Sequence, residues 1–271
     1  MAKILMSLLC CGMSLCYAME KYDLVTNKKI GIFSVTNEQE TQKNFFYHNT
    51  IENGHLYAVY GGKRGMQVSH FLAENFPLYF SKALGTIEER MKTACKNIDN
   101  DPFIKDHHKH CGSSAAIVFI KDNKAYCLHV GNDGIVVAKK NGTIDFFTYG
   151  HVPDRADEYV RIEDAKGLVL NGRVNGFLSV SRSFGHYWLD KRLIISEPAY
   201  QEIELTDQHK FLMLATKNLW KKVNHGDVAL LLRTRTSGEH NMNLLAKLFG
   251  LVAIKRGSKD SVTVMVIDLL S

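Results

Sequence analysis

The 271 residues are 45% hydrophobic and 23% charged, which is enough for one large domain or two small ones with a core that needs no disulfide or metal. Lys and Arg number 34 against 28 Asp and Glu, a formal net charge of +6, with no Arg-rich tract and no basic-aromatic repeat. That balance excludes the usual signature of a nucleic-acid-binding surface and leaves only a mild attraction for anionic partners.

In chain order, Lys3 comes first, then an uncharged run over residues 4–16, then Tyr17 and Ala18. A basic start, a short apolar stretch and small residues at 16 and 18 form a secretory signal pattern, too short for a stable membrane span. The expectation is a signal peptide over 1–18 and one exported domain over 19–271; the alternatives are an uncleaved anchor or a buried first strand. Cleavage leaves Cys95, Cys111 and Cys127, an odd set that cannot pair completely. Buried thiols are expected there, with a Cys111–Cys127 bond as the alternative.

Residues 55–60 read as a short aromatic strand, ended by Gly61 and Gly62. A helix follows from about residue 66, with Val68, Phe71, Leu72 and Phe76 on one face, kinked or interrupted at Pro77. Residues 88–97 are helical, 100–102 break the pattern, and the His-rich piece 106–110 is a loop. Strands are expected at 115–120 and 125–130, joined by a turn. A third, at 135–138, leads to an Asn141-Gly142 hairpin turn. A helix over 154–165, strands over 200–205 and 211–215, helices over 227–233 and 241–254, and a closing strand over 261–268 complete the chain. Strands in runs with helices grouped between them predict an α+β fold, an antiparallel β-sandwich of two sheets flanked by helices in α-β-β-α layers.

The ordered motifs narrow the reading. They are Leu56-Tyr-Ala-Val-Tyr-Gly-Gly-Lys-Arg-Gly65, Gly112-Ser-Ser-Ala-Ala116 with Val130-Gly-Asn-Asp133, and His151-Val-Pro153 with Glu158, Arg161 and Gly167. Asn171 to Gly185, Leu214 to Trp220 and Gly257 to Val264 follow. Together they resemble the PPM-type metal-dependent protein serine/threonine phosphatases, the protein phosphatase 2C family, over nearly all of residues 25–271. The resemblance implies the two-sheet sandwich and a site where acids hold Mg²⁺ or Mn²⁺, which activate water against a phosphoserine or phosphothreonine.

At the positions the resemblance assigns to that site, the residue types differ. The phosphate-gripping Arg aligns with Gln39, and a Glu-Asp pair with Lys43 and Asn44. The Asp after the first strand falls on Gly61, the backbone metal contact on Gly62, and the following His on Lys63. The hairpin Asp falls on Asn132, with Asp133 one place along. Two further Asp positions hold Lys217 and Lys221, and an acidic position holds His186. Asp260 alone is retained, with Ser261 in place of Asn. One carboxylate cannot offset lysine repulsion and the dehydration of Mg²⁺. The reading is therefore a degenerate member, a pseudophosphatase with no cofactor. It would act by binding a protein partner, possibly phosphorylated, through an anion site of Lys43, Lys63, Arg64, Lys217 and Lys221. The alternatives are lysines that simply point into water, an active Mg²⁺ or Mn²⁺ phosphatase with a site rearranged around Asp133 and Asp260, and a structural exported protein. Arg173, Asn175, Ser181, Arg182 and Gly185 read as framework residues, Trp220 as core, His151 as a structural histidine, and His107, His108 and His110 as a solvated cluster.

Overall fold

In the computed structural model, residues 30–36, 42–234 and 241–270 are described; the expected signal peptide and Gln39 lie outside them. Thirteen strands and six α-helices are built from them. One sheet has the order β1 (Ile30–Val35), β13 (Val262–Asp268), β12 (His209–Ala215), β6 (Gly134–Lys139), β7 (Ile144–Phe147). The second runs β11 (Ala199–Glu204), β5 (Lys124–Val130), β4 (Gly112–Lys121), β3 (Gly54–Lys63), β2 (Asn44–Ile51), with β10 (Phe184–Gly185) added to β4. The pairings within both sheets are antiparallel.

Alternation along the strands fixes the layers, because successive side chains leave a strand on opposite faces. In β3, Tyr57 and Val59 face the other sheet and, with Ala116 and Val118 of β4, pack against its Leu212, Leu214, Met265 and Ile267. Leu56, Ala58 and Tyr60 face the other way, onto α1 (Gln67–Lys82) and α2 (Ile87–Asp99). The first sheet is covered by α5 (His225–Arg233) and α6 (Met242–Lys255), through Leu232, Leu245, Ala246 and Phe249. The result is the expected α-β-β-α sandwich.

Several local expectations change. Gly61 and Gly62 do not end β3; they stay paired with Ser114 and Ser113, and the strand continues to Lys63. Helix α1 runs through Pro77, whose ring is buried on the same face as Phe76 and Phe80; that packing outweighs the missing N–H. Strands β1 and β2 were not expected. One π-helical turn, Phe103–His107, takes in the first two residues of the piece 106–110 expected as a loop. Cys95 and Cys127 are buried and Cys111 half-buried, and all three thiols are free. Cys127 sits between the sheets, while Cys111 lies beside the Arg64 carbonyl, 3.4 Å away.

Between β7 and β11 the chain leaves the sandwich to form α3 (Ala156–Asp164) and the hairpin β8 (Val169–Leu170) and β9 (Arg173–Val174). A short helix, α4 (Lys217–Trp220), follows β12. These pieces border one end of the sandwich, where the candidate site lies.

Candidate functional site

Five chain segments converge there: the start of β2, the end of β3, the β5–β6 turn, α4 and the residues before β13. Backbone and amide hydrogen bonds tie them. Gly62 donates its N–H to the Lys43 carbonyl (2.9 Å). Buried Asn44 donates to the Ser261 carbonyl (3.1 Å) and Asn218 to the same oxygen (2.8 Å). Thr263 donates its N–H to the Thr216 hydroxyl (3.0 Å). Asn44 is thus a clamp beneath the site, while its neighbour Lys43 lines the cavity above it.

That cavity has a volume of about 300 Å³. Lys43, Gly62, Lys63, Arg64, Lys217 and Asp260 line it together with Asn218 and Ser261. Arg173, Phe177, Leu178 and Ser179 form the opposite wall. Arg173, expected as a framework residue, therefore faces the site. Lys221 does not line it: it stands at the rim, half-exposed, with its ammonium 4.0 Å from the Asp260 carboxylate. The Arg64 guanidinium lies over the Trp188 ring, 4.5 Å from its centre, and the Phe177 ring meets Trp188 edge-on at 5.4 Å.

The deepest charged groups are Lys63, 8% exposed, and Asp133, 1% exposed. The Lys63 ammonium reaches the Asn132 side-chain oxygen at 3.4 Å. Burial, then the charge on Lys217, hold Lys63 well below the usual lysine range, while Asp133 pulls the other way. Lys217 is lowered as well, by burial and then by Lys221, against the pull of Asp133 and Asp260. Burial pushes the Asp133 carboxyl up. Hydrogen bonds from Ser114 and the Lys217 N–H oppose that push, as do the two lysine charges.

Asp133 is the residue whose role sequence reasoning missed. Its carboxylate accepts the N–H of Gly61 (2.8 Å) and of Lys217 (3.0 Å). The Ser114 hydroxyl donates to the Gly61 carbonyl at 3.3 Å and, being close to the carboxylate, also pulls Asp133 down. A Cβ placed on Gly61 would lie 2.8 and 2.9 Å from the two Asp133 oxygens. The only sequence signal was an acid one place beyond Asn132 in the hairpin.

The remaining residues fall outside the cavity. His186 is buried against Gly112, and burial, then the Lys63, Lys191 and Arg64 charges, lower it to about 3. His151 stacks on His129 with ring centres 4.5 Å apart, accepts the Gly131 N–H, and is held neutral by burial. Arg182 and Ser181 lie with Glu158, away from the cavity lining. Asn175 caps Leu168 N–H in the β8–β9 hairpin (2.8 Å). Trp220 donates its indole N–H to the Ala215 carbonyl (2.9 Å) and is half-buried. His107 and His108 are turned to Pro102 and Phe103, and His110 to Trp188, rather than to one another.

The family model for protein phosphatase 2C matches residues 32–262. The chain belongs to the protein phosphatase 2C family. It is 30% identical over 223 residues to a probable protein phosphatase 2C 52 of Oryza sativa subsp. japonica, covering 78% of this chain and 44% of that protein. It is 28% identical over 264 residues to protein phosphatase 2C homolog 1 of Saccharomyces cerevisiae, covering 84% and 91%. The chain thus spans less than half the length of the rice relative but nearly all of the yeast one. Among solved structures, the fold is shared with serine-threonine phosphatase 2C from Toxoplasma gondii (TM-score 0.74, 17% identity, 88% of this chain and 94% of that one). It is shared also with a C. elegans sex determining protein (TM-score 0.79, 20% identity, 89% and 64%).

Protein phosphatase 2C members are metal-dependent, and this cavity does not fit their Mg²⁺ or Mn²⁺. Among the described residues no group of three or more His, Cys, Asp or Glu side chains is arranged to hold a metal ion. Of the two nearby acids, Asp133 already accepts two N–H groups, and Asp260 is half-exposed beside Lys221. An ammonium about 4 Å from a divalent ion repels it by about 8 kcal/mol at an effective dielectric of about 20. Two lysines, Lys63 and Lys217, line the space that the ions would need.

Proposed function

We propose that this protein is a phosphatase-fold binding protein, without phosphatase turnover, that holds an anionic and preferably phosphorylated segment of a partner protein in the Lys43–Lys63–Arg64–Lys217 cavity. The observation that carries the reading is the pair Lys63 and Lys217, ammonium groups at the base of a water-accessible cavity whose charge Asp133 offsets only in part. A phosphate entering there exchanges its hydration for charge-assisted hydrogen bonds and relieves the repulsion between the two lysines. A cavity of about 300 Å³ admits a phosphorylated side chain and leaves the rest of the peptide on the rim. The basic, uncharged and small-residue pattern of the first eighteen residues supports an exported protein, so the partner belongs to the compartment beyond that membrane.

Calorimetry with a phosphothreonine peptide and its unphosphorylated form tests the reading. Tighter binding of the phosphorylated form, weakened at least tenfold in Lys63→Met and Lys217→Met, is expected. Equal binding of the two peptides would defeat it. Mn²⁺-dependent hydrolysis of p-nitrophenyl phosphate that disappears in Asp260→Ala would instead establish an enzyme with a rearranged site.

A further inference from the structure

Gly61 and Asp133 are 72 positions apart in the chain, yet each requires the other. The backbone of Gly61 is not left-handed, so conformation alone would allow a side chain. Space does not: a Cβ would lie 2.8 Å from one Asp133 oxygen, 2.9 Å from the other and 3.0 Å from the Ser114 hydroxyl. The clash has no easy release. The carboxylate is almost fully buried and is held by the Gly61 and Lys217 N–H groups, at 2.8 and 3.0 Å.

Those two bonds also bridge the molecule. Gly61 belongs to β3 in one sheet, Lys217 opens α4 directly after β12 in the other, and Asp133 sits in the turn that passes from β5 to β6 between the sheets. Lys63 is two residues beyond the first contact, and Lys217 is itself the second. The carboxylate therefore fixes two of the segments that bring an ammonium group into the cavity, those of Lys63 and Lys217.

We propose that Asp133 is the positioning residue of this cavity: a built-in anion that occupies the space left open by Gly61 and sets the spacing of Lys63 and Lys217 for an incoming anion. The ligand half of this proposal rests on the anion-binding reading above; the Gly61–Asp133 pairing does not. As an acceptor, Asp133 orders the two segments. As a charge, it competes with the ligand for the same ammonium groups. Shape and charge are therefore separable: losing the acceptor loosens the site, whereas losing only the charge frees the lysines for the ligand.

Thermal unfolding of the full chain as wild type, Gly61→Ala, Asp133→Ser and the double variant tests the pairing. Each single change is expected to lower Tm by about 5 °C or more. The double variant should lie several degrees above the sum, because the new Cβ then has room. Additive shifts overturn the pairing. Should Gly61→Ala fail to fold, recovery of folded protein in the double variant supports the pairing and no recovery overturns it. Titration of Asp133→Asn with inorganic phosphate tests the charge at nearly constant volume; the amide keeps one of the two acceptor oxygens, so the ordering of the two segments is weakened rather than lost. Binding about threefold or more tighter than wild type is expected. An unchanged or weaker affinity overturns the competing-anion role. If wild type does not bind phosphate, the ligand half fails with the anion-binding reading, and the Tm coupling alone decides the Gly61–Asp133 pair.

Discussion

Two buried carboxylates in this molecule, Asp133 and Glu158, sit among cations and come to opposite ends. Glu158 projects from α3 into three guanidinium groups: Arg182 Nε at 2.7 Å, Arg161 Nη2 at 2.9 Å and Arg155 Nη2 at 3.5 Å. Burial alone would push its carboxyl up, but Arg182, Ser181 and Arg161 outweigh burial and bring it down to about 2. Arg155 also pairs with Asp157, and the other two arginines reach backbone carbonyls. Arg161 reaches the carbonyls of Ser181, Arg192 and Leu193, and Arg182 that of Glu197. Every charge is met by protein, and the hub is structural.

Asp133 is met chiefly by uncharged groups, two peptide N–H donors and the neighbouring Ser114 hydroxyl. Its neighbouring lysines keep charge that the protein does not neutralise, and both are lowered rather than stabilised. Where protein groups complete the pairing, the charge builds structure; where they leave it incomplete beside a cavity, a ligand can complete it.

Glu158→Ala carries the largest expected effect. Removing the hub of three arginines should cost about 3–5 kcal/mol of unfolding free energy in a denaturant titration. A loss under about 1 kcal/mol would show that the arginines do not depend on it. Next is Lys63→Met, which should raise stability by about 1–2 kcal/mol while weakening anion binding about tenfold or more, since a desolvated, under-compensated charge is removed. Loss of stability there would place Lys63 with the hub rather than with the site.

The pH dependence separates the regions by sign. Glu158 has a folded value of about 2, below its ordinary 4.5, so its contribution is complete above 4.5 and is lost as pH falls from 4.5 toward 2. Lys63 is lowered, so the folded state binds fewer protons than the unfolded one between its depressed value and the ordinary 10.5. Stability should therefore rise with pH through that window in wild type, relative to Lys63→Met. Phosphopeptide affinity should fall over the same range as the ammonium groups lose their charge. Parallel slopes for wild type and Lys63→Met would remove Lys63 from the account. The smallest effect belongs to Lys221→Ala. Its pair with Asp260 is half-exposed and 4.0 Å long, so stability should change by less than about 1 kcal/mol and peptide affinity by no more than about threefold.

The sandwich was legible because period-two alternation in residues 55–60, 115–120 and 211–215 is a local signal, and the ordered motifs gave its family. Strands β1 and β2 were not. In β1, Gly31 interrupts the apolar pattern because the Met242 backbone of α6 packs where its side chain would be. In β2, the aromatic run Phe45, Phe46 and Tyr47 faces both layers, so no alternation of polar and apolar residues marks it. The end of β3 was placed too early because glycine reads as a strand breaker, whereas Gly61 and Gly62 are there to let Asp133 and the Lys43 and Gly65 backbones approach.

Lysines and glycines stand where a metal-binding family carries acids, and residue identity at an aligned position is legible without coordinates. What those residues do depends on the closed fold. It turned Lys63 and Lys217 into the cavity and left Lys221 on the rim, and it brought Arg173 from the β8–β9 hairpin to the opposite wall. It also joined Gly61 to Asp133 across 72 residues. Contacts of that span depend on how two sheets close on each other, and no local pattern in the chain encodes the last ångström of that closure.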